Sequence, residues 1–472
     1  MHKHLGVNVE IYLGDDSKTG KLFVLFMWYL MCVATKKCGG VGMYLSMIQK
    51  SIDYIEENLK TDITAKELSE MAGFSIFHFY RLFQSAVGMP VMQYITRRRL
   101  LHALYDIHCE EKIVEVSLAY GFETQAGFYK AFVREFGYTP TEFLHISKKR
   151  KPYRINLFQE EHIMVSHKKL KEVLQNWGLE NEKLMDVVYA ETGNISDSAC
   201  YVGENYIIKF SANLGNVEKH ISLSKAIESV GLSVATPIKT TDGRFVVASE
   251  ELYFYVTKRL TGQQLKASTM YLEDYMPKAR FIGEIVGQLS LALTKVDVVT
   301  NQANILKSAK EWAIPVLIEK MNLPKRFIEM YENEFEKIYE SLPQQIIHRD
   351  INPGNLVLSG EHWGVLDFDL SERNIRIFDP CYAATAILSE SFDADNTDKL
   401  CQWIEIYKNI MYGYDEVVKL SDNEWKAIPY VIMTNQFIAT AWFSEQEKYS
   451  ELYEINKKMT EWMLQNFDSM CF

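Results

Sequence analysis

Cysteine is scarce in this chain, and no two cysteines are spaced as a pair. Seven are scattered over 472 residues, at Cys32, Cys38, Cys109, Cys200, Cys381, Cys401 and Cys471, with no Cys-x-x-Cys among them. That pattern predicts reduced thiols in a cytosol and argues against a zinc site. A membrane-length hydrophobic run is also missing: the unbroken apolar stretch Leu22–Ala34 is 13 residues long, against about 20 for a bilayer span. Charge of one sign is lacking only locally. Residues 1–43 and 44–154 each carry +2, so the net −11 of the whole chain leaves −15 on residues 155–472. A mildly basic front and an acidic rear point to different partners, with nucleic acid plausible only at the front. At this length two or three domains are expected. Residues 1–43 read as an N-terminal extension, with translation expected to begin at Met43 or Met47.

Helical periodicity starts at Ile48, Ile52, Ile55 and Leu59. Thr64 with Glu67 then reads as a capping box for a helix over 65–72, Gly73-Phe74-Ser75 as a tight turn, and 76–86 as a second helix closed by Gly88. This helix, turn and helix recurs about 48 residues later, at 113–120, Gly121-Phe122-Glu123 and 124–136. Phe79-Tyr80-Arg81-Leu82-Phe83 is echoed by Phe128-Tyr129-Lys130-Ala131-Phe132, and Gly88-Met89-Pro90 by Gly137-Tyr138-Thr139-Pro140. Pro90 opens a connecting helix whose apolar face is Ile95, Leu100, Ala103, Leu104 and Ile107. Phe79, Leu82, Phe83, Phe128 and Phe132 are at core spacing. Arg97-Arg98-Arg99 and Lys148-Lys149-Arg150-Lys151 are either solvated faces or phosphate contacts.

Residues 44–146 thus resemble the DNA-binding domain of the AraC/XylS family, including its Gly-Tyr-Thr-Pro close. The resemblance implies a double-stranded DNA partner. Position by position, it assigns Phe77, Tyr80 and Arg81 to one major groove and Thr124, Gln125 and Lys130 to the next. Chemically, Arg81 and Lys130 can donate to guanine, and Gln125 can pair with adenine.

A polar linker is expected over 147–167 and a further domain over 168–472. Its most informative stretch is His348-Arg349-Asp350-Ile351-Asn352-Pro353-Gly354-Asn355, followed by a strand at 356–358, a turn at 359–363 and a strand at 364–366 ending in Asp367. Residues flanking an antiparallel pair lie side by side, roughly 5 Å apart, so Asn355 and Asp367 are expected to meet at the open end. An amide oxygen beside a carboxylate suits Mg²⁺. Asp350, on an irregular loop, is free to take a proton from an attacking hydroxyl. A surface loop with scattered acids explains any one of these residues but fits the ordered set poorly.

This stretch resembles the aminoglycoside phosphotransferase branch of the protein-kinase fold. Asp367-Phe368-Asp369 stands where protein kinases carry Asp-Phe-Gly, no Ala-Pro-Glu follows, and Arg376-Ile377-Phe378-Asp379-Pro380-Cys381-Tyr382 looks like the small-molecule kinases. Lys209, an isolated charge in the strand Tyr206–Phe210, needs an acid or phosphates beside it. The resemblance gives it the nucleotide phosphates and a helix acid, Glu218 with Glu228 as fallback. The loop 192–198 has one glycine and no Gly-x-Gly-x-x-Gly lid, so Ser/Asn side chains such as Ser196 would cover the phosphates. The hinge at Lys258 and Leu260 would hold the base of ATP or GTP through backbone groups. Asp369 could see the metal or the acceptor. Asp379 is either a brace for the catalytic loop or a helix N-cap. The acceptor pocket would be built in the helical region 393–465, most of whose aromatics read as core.

The expectation is therefore multi-domain. An all-α double helix-turn-helix domain precedes an α+β protein-kinase-like two-lobed domain, with an N-lobe over about 168–260 and a C-lobe over about 261–472. The expected function is a cytoplasmic transcriptional regulator fused to a phosphotransferase that uses ATP or GTP with Mg²⁺ to phosphorylate a small-molecule hydroxyl, with no membrane partner. The alternative is a regulator whose kinase-like part is a non-catalytic ligand sensor.

Overall fold

The structure, a computed structural model, describes residues 41–149, 151–158, 164–188, 195–250, 252–360, 362–446 and 449–472. The apolar run Leu22–Ala34, the extension before residue 41 and the loop residues 192–194 lie outside the described residues. No described helix is long and apolar enough to cross a membrane. The chain divides into two compact units. One runs up to Phe128 and includes Arg154–Val165; the other combines Tyr129–Tyr153 with Ser166–Phe472.

The first unit is helical: α1 (Val41–Glu57), α2 (Ala65–Met71), α3 (Ile76–Val87), α4 (Val91–His108) and α5 (Ile113–Ala119), with α6 (Gln125–Phe136) crossing the boundary. Its core is the expected one: Ile48, Ile52, Ile55, Phe79, Phe83 and Leu100 are all buried. Thr64 caps α2 by accepting the Glu67 amide at 3.2 Å. The expected capping box is not closed, because the Glu67 carboxylate accepts the Tyr54 hydroxyl instead. Ser75 caps α3, and Gly88 ends it in the left-handed conformation.

The arginine run corrects the charge reading. Arg98 is buried and forms a bidentate pair with Glu56, at 2.6 and 2.8 Å, while Tyr94 Oη donates to the same carboxylate. Arg99 donates to the carbonyls of Leu59 and Thr61, beyond the end of α1. Neither guanidinium is a solvated face. Burial alone would raise the Glu56 carboxyl, but His102 and Arg98 outweigh it and hold the group down at about 2.

Within the stretch expected as a linker, Ile155 and Leu157 are buried. Gln49 holds them through its own amide: Nε2 donates to the Ile155 carbonyl at 2.9 Å, and Oε1 accepts the Leu157 amide at 2.8 Å.

The second unit begins with the rest of α6 and with α7 (Pro140–Ile146), which Thr139 and Glu142 cap reciprocally. After α8 (His167–Leu174) come β1 (Leu184–Val188), β2 (Ile195–Val202), β3 (Tyr206–Ser211), α9 (Leu214–Ser229), β4 (Ser233–Val234), β5 (Val247–Ser249), β6 (Leu252–Lys258) and β7 (Gln263–Gln264). Five of these strands make an antiparallel sheet in the order β1-β2-β3-β6-β5. In its middle strands Ile208 and Phe210 of β3 and Phe254, Tyr255, Val256 and Thr257 of β6 are buried.

A second sheet, β4-β10-β9-β7, carries the hairpin of β9 (Leu356–Ser359) and β10 (His362–Val365), and β8 (Gln344–Ile347) pairs with β11 (Glu372–Ile375). Helices make up the rest: α10 (Tyr275–Leu293), α11 (Phe378–Ser391), α12 (Thr397–Val417), α13 (Asp422–Ser444) and α14 (Ser450–Gln465), with shorter helices over 305–339. Trp403 and Tyr407 are core, as expected, whereas Tyr412 and Trp442 are exposed. α10 and α12 meet backbone to backbone. A Cβ on Gly283 would clash with the Ile410 carbonyl, and one on Gly413 with the Arg280 carbonyl.

Candidate active site

The catalytic-loop segment lies between β8 and β9, and α11 pins it. Asp379, in the first turn of α11, accepts the backbone amides of His348 and Arg349, each at 2.8 Å. Of the two roles expected for Asp379, the bracing one is present; Ile377 occupies the N-cap. Burial raises the Asp379 carboxyl, and the two amides and His348 oppose that rise. His348 Nε2 lies 2.8 Å from the Leu366 carbonyl, and its Nδ1 accepts the Asp350 amide at 3.2 Å. Arg349 adopts φ 74° and pairs with Glu372 at 3.2 Å.

Asp350 is thereby held with its carboxylate among donors. Asn352 Nδ2 and Tyr382 Oη each donate to Oδ1 at 3.0 Å, and Asn355 Nδ2 donates to Oδ2 at 2.9 Å. Burial pushes its carboxyl above the ordinary range; His348, Asn352 and Tyr382 pull it back, and Asp367 adds to the rise. A partly desolvated carboxylate with a raised pKa suits proton acceptance near neutrality. Sequence reasoning did not give Tyr382 this part, although a signal was present. It follows Asp379 by three residues on a helix, so both side chains face the same loop.

The register sets Leu356 opposite Val365, and the Leu366 amide donates to the Asn355 carbonyl at 2.9 Å. Asp367 is thus one residue past direct opposition to Asn355, and it turns there with φ 61°. The returning strand starts at His362, two residues earlier than expected. Because Asn355 spends its amide nitrogen on Asp350, its side-chain oxygen remains as an acceptor. That amide oxygen and the Asp367 carboxylate are both hard-oxygen donors of the kind Mg²⁺ takes.

Lys209 Nζ lies 3.1 Å from Asp367 Oδ2. Desolvation opposes the ammonium, but Asp367 and Asp369 outweigh it and keep Lys209 charged. The expected helix partner is different. Glu218 is exposed, and Glu228 accepts the Thr236 hydroxyl. The residue α9 turns inward is His220, whose Nδ1 comes within 2.7 Å of Asp369 Oδ1 without the alignment of a hydrogen bond. Desolvation would raise Asp369, yet Lys209 and His220 hold it below the usual carboxylate range. His220, Asp367 and Asp369 are close enough together to share an ion.

A cavity beside this group is lined by Ser198, Lys209, Asn216, Tyr255 and Asp369. Ser196, expected over the phosphates, is buried in β2, and the serines on the cavity are Ser198 and Ser211. At the hinge, Leu260 is half-buried and the Lys258 amide is committed to the Thr236 carbonyl at 2.9 Å. A backbone N–H donor for a base must come from a residue other than Lys258.

On the helix-turn-helix elements, Phe77, Arg81, Gln125 and Lys130 are exposed and Tyr80 is half-buried. Phe77 is 83% exposed, an unusual state for a large apolar ring, so it is presented and not packed. Thr124 is exposed, but its hydroxyl accepts the Gly127 amide at 3.0 Å, making it a helix cap as well as a base-contact candidate.

Residues 68–146 match the helix-turn-helix domain family, and residues 193–408 match the phosphotransferase enzyme family. The front is similar to the HTH-type transcriptional regulator YbfP of Bacillus subtilis, at 34% identity over 107 residues, 22% of this chain and 36% of that protein. It is similar to the transcriptional activator AarP of Providencia stuartii, at 30% over 97 residues, 20% of this chain and 72% of AarP. It also resembles the regulatory protein SoxS of Salmonella typhimurium, at 28% over 100 residues, 21% of this chain and 94% of SoxS. The chain therefore spans about a third of YbfP and most of the two shorter proteins.

Among solved structures, a complex of the amicoumacin kinase hAmiN with AMP-PNP, Ca²⁺ and Ami aligns with TM-score 0.47 at 15% identity, over 62% of this chain and 92% of that one. A microcompartment-associated aminopropanol kinase aligns with TM-score 0.49 at 13%, over 64% and 97%. The family match, not these likenesses, carries the fold assignment of the rear.

Proposed function

Since the chain belongs to the AraC-type helix-turn-helix regulators through its front and to the phosphotransferase enzyme family through its rear, we propose that it binds promoter DNA and transfers the γ-phosphate of ATP or GTP to a hydroxyl of a small molecule. The observation that carries the enzymatic half is Asp350, desolvated and oriented by Asn352, Asn355 and Tyr382 beside Asp367 and Lys209. Asp350 orients the acceptor hydroxyl and takes its proton. As that O–H bond breaks, the oxygen bonds to the γ-phosphorus, and the bond from phosphorus to the bridging oxygen breaks to release the nucleoside diphosphate. The proton then leaves Asp350 for solvent.

Lys209 would leave Asp367 for the phosphates, which supply the negative charge it needs. Mg²⁺, when bound, neutralises charge on the phosphates; Asn355 and Asp367 are the residues that would hold it. The front reads DNA through Phe77, Tyr80 and Arg81 and through Thr124, Gln125 and Lys130.

One observation favours the second reading, a sensor that does not turn over. Lys209 is paired with Asp367 itself, while Glu218 faces outward. Release of nucleoside diphosphate, followed across a panel of hydroxyl compounds, decides between the two. Turnover on one acceptor that Asp350→Asn abolishes supports the enzyme. Saturable acceptor binding with no release, unchanged in Asp350→Asn, supports the sensor.

A further inference from the structure

Among the described residues a second cluster of metal-ligating side chains lies apart from the active site: His167, Asp186 and Cys200. They come from three elements. Asp186 on β1 and Cys200 on β2 are directly opposed in the antiparallel register, so both side chains leave the sheet on one face. His167, the first residue of α8, reaches in over them. Cys200 is also opposite Ile208, whereas Lys209 is opposite Ala199. Successive residues of a strand point to opposite faces, so the cluster and the phosphate-holding lysine are on different sides of the sheet.

Convergence on a single atom distinguishes this group from an ordinary buried ion pair or a nucleophile relay. His167 Nε2 lies 2.7 Å from Asp186 Oδ1, and the same nitrogen lies 3.7 Å from Cys200 Sγ. A relay uses both ring nitrogens, one toward the acid and one toward the thiol. Here both partners face one nitrogen, and the three donor atoms lie within 4.8 Å of one another. Asp186 and Cys200 are 7% and 2% exposed.

We propose that His167, Asp186 and Cys200 form a structural site for one zinc-class divalent transition metal. The donor set is one imidazole nitrogen, one carboxylate oxygen and one sulfur, the mixture that borderline-soft metals take and Mg²⁺ does not. With tetrahedral bonds of about 2.0–2.3 Å, ligand N and S are roughly 3.6 Å apart and N and O roughly 3.4 Å. The N to S separation is already there; the His167–Asp186 contact opens by a fraction of an ångström on loading. The Cys200 thiol, whose Sγ lies 3.2 Å from the Met185 carbonyl, loses its proton to solvent as the S–metal bond forms.

The absence of Cys-x-x-Cys does not bear on this site, because the ligands are 19 and 33 residues from His167 and meet only through the sheet. The site is also well placed to stiffen the neighbouring Gly-Tyr-Thr-Pro segment. Tyr138 Oη donates to the Asp186 carbonyl at 3.1 Å, and a Cβ on Gly137 would clash with the Leu184 carbonyl. A metal on Asp186 fixes the strand against which the Gly-Tyr-Thr-Pro segment packs.

The test is titration of the full chain with Co²⁺ in excess Mg²⁺, followed by absorption. The expected result is a thiolate-to-cobalt charge-transfer band that saturates at one equivalent and is displaced by Zn²⁺. Cys200→Ser should lose the band, and His167→Ala, at a partly exposed position, should weaken Co²⁺ binding at least about tenfold. Absence of the band in the wild type overturns the proposal, as does its survival in Cys200→Ser or an unchanged affinity in His167→Ala. Should Cys200→Ser not fold, the His167→Ala titration decides alone.

Discussion

Asp350 is a carboxylate whose basicity is set by its neighbours, and Tyr382 is the most separable of them. Its hydroxyl stabilises the charged form, so Tyr382→Phe raises the Asp350 pKa and moves the acidic limb of the pH–rate profile upward, by about one to two pH units for a hydrogen bond to a charged group. An unmoved limb would detach Tyr382 from the base. Asp350→Asn removes the proposed proton acceptor and should cut turnover about a hundred- to ten-thousand-fold with nucleotide affinity nearly unchanged, read from kcat and from nucleotide titration. Asp350, Asn355 and Asp367 were legible in the sequence because one short segment carries them in fixed order. The partner of Lys209 was not. Successive helix residues turn by about 100°, and distance along the chain cannot say that α9 points His220 inward and Glu218 out.

Two helix contacts define what the elements tolerate. α10 and α12 approach so closely at Gly283 and Gly413 that any side chain there displaces backbone. Gly413→Ala should destabilise the rear by at least about 1–3 kcal/mol, measured as a lower urea midpoint with an unchanged slope. In the front, the buried Glu56–Arg98 pair makes stability fall with acid. Glu56 titrates at about 2 in the folded state against an ordinary 4.5. Its contribution is complete above about pH 4.5 and disappears between there and 2, a loss of about 3 kcal/mol. Denaturation midpoints of Glu56→Gln should accordingly flatten over that window. The repeated helix-turn-helix pattern was readable from glycine and aromatic positions alone. Burial of Arg98 was not, because a run of three arginines looks the same whether it is solvated or folded inward.

At the scale of the whole molecule, DNA contact from a chain of net charge −11 depends on a local set of cations, so promoter affinity should drop steeply with salt. Lys130→Ala should cost about 1–3 kcal/mol at the preferred promoter and relax discrimination at the guanine it contacts. A salt-indifferent signal in filter binding or anisotropy would contradict the DNA reading. Fold classes and domain order were visible in the sequence. The path of the chain between them was not, because the backbone of Ile155 and Leu157 is held by Gln49, more than 100 residues earlier.

That path has a practical outcome. The polypeptide leaves the first unit after Phe128, returns for Arg154–Val165 and departs again at Ser166. No single scission can therefore yield an intact half: a break ahead of Arg154 strips Gln49 of its rungs, and one behind Val165 parts the Gly-Tyr-Thr-Pro close from β1.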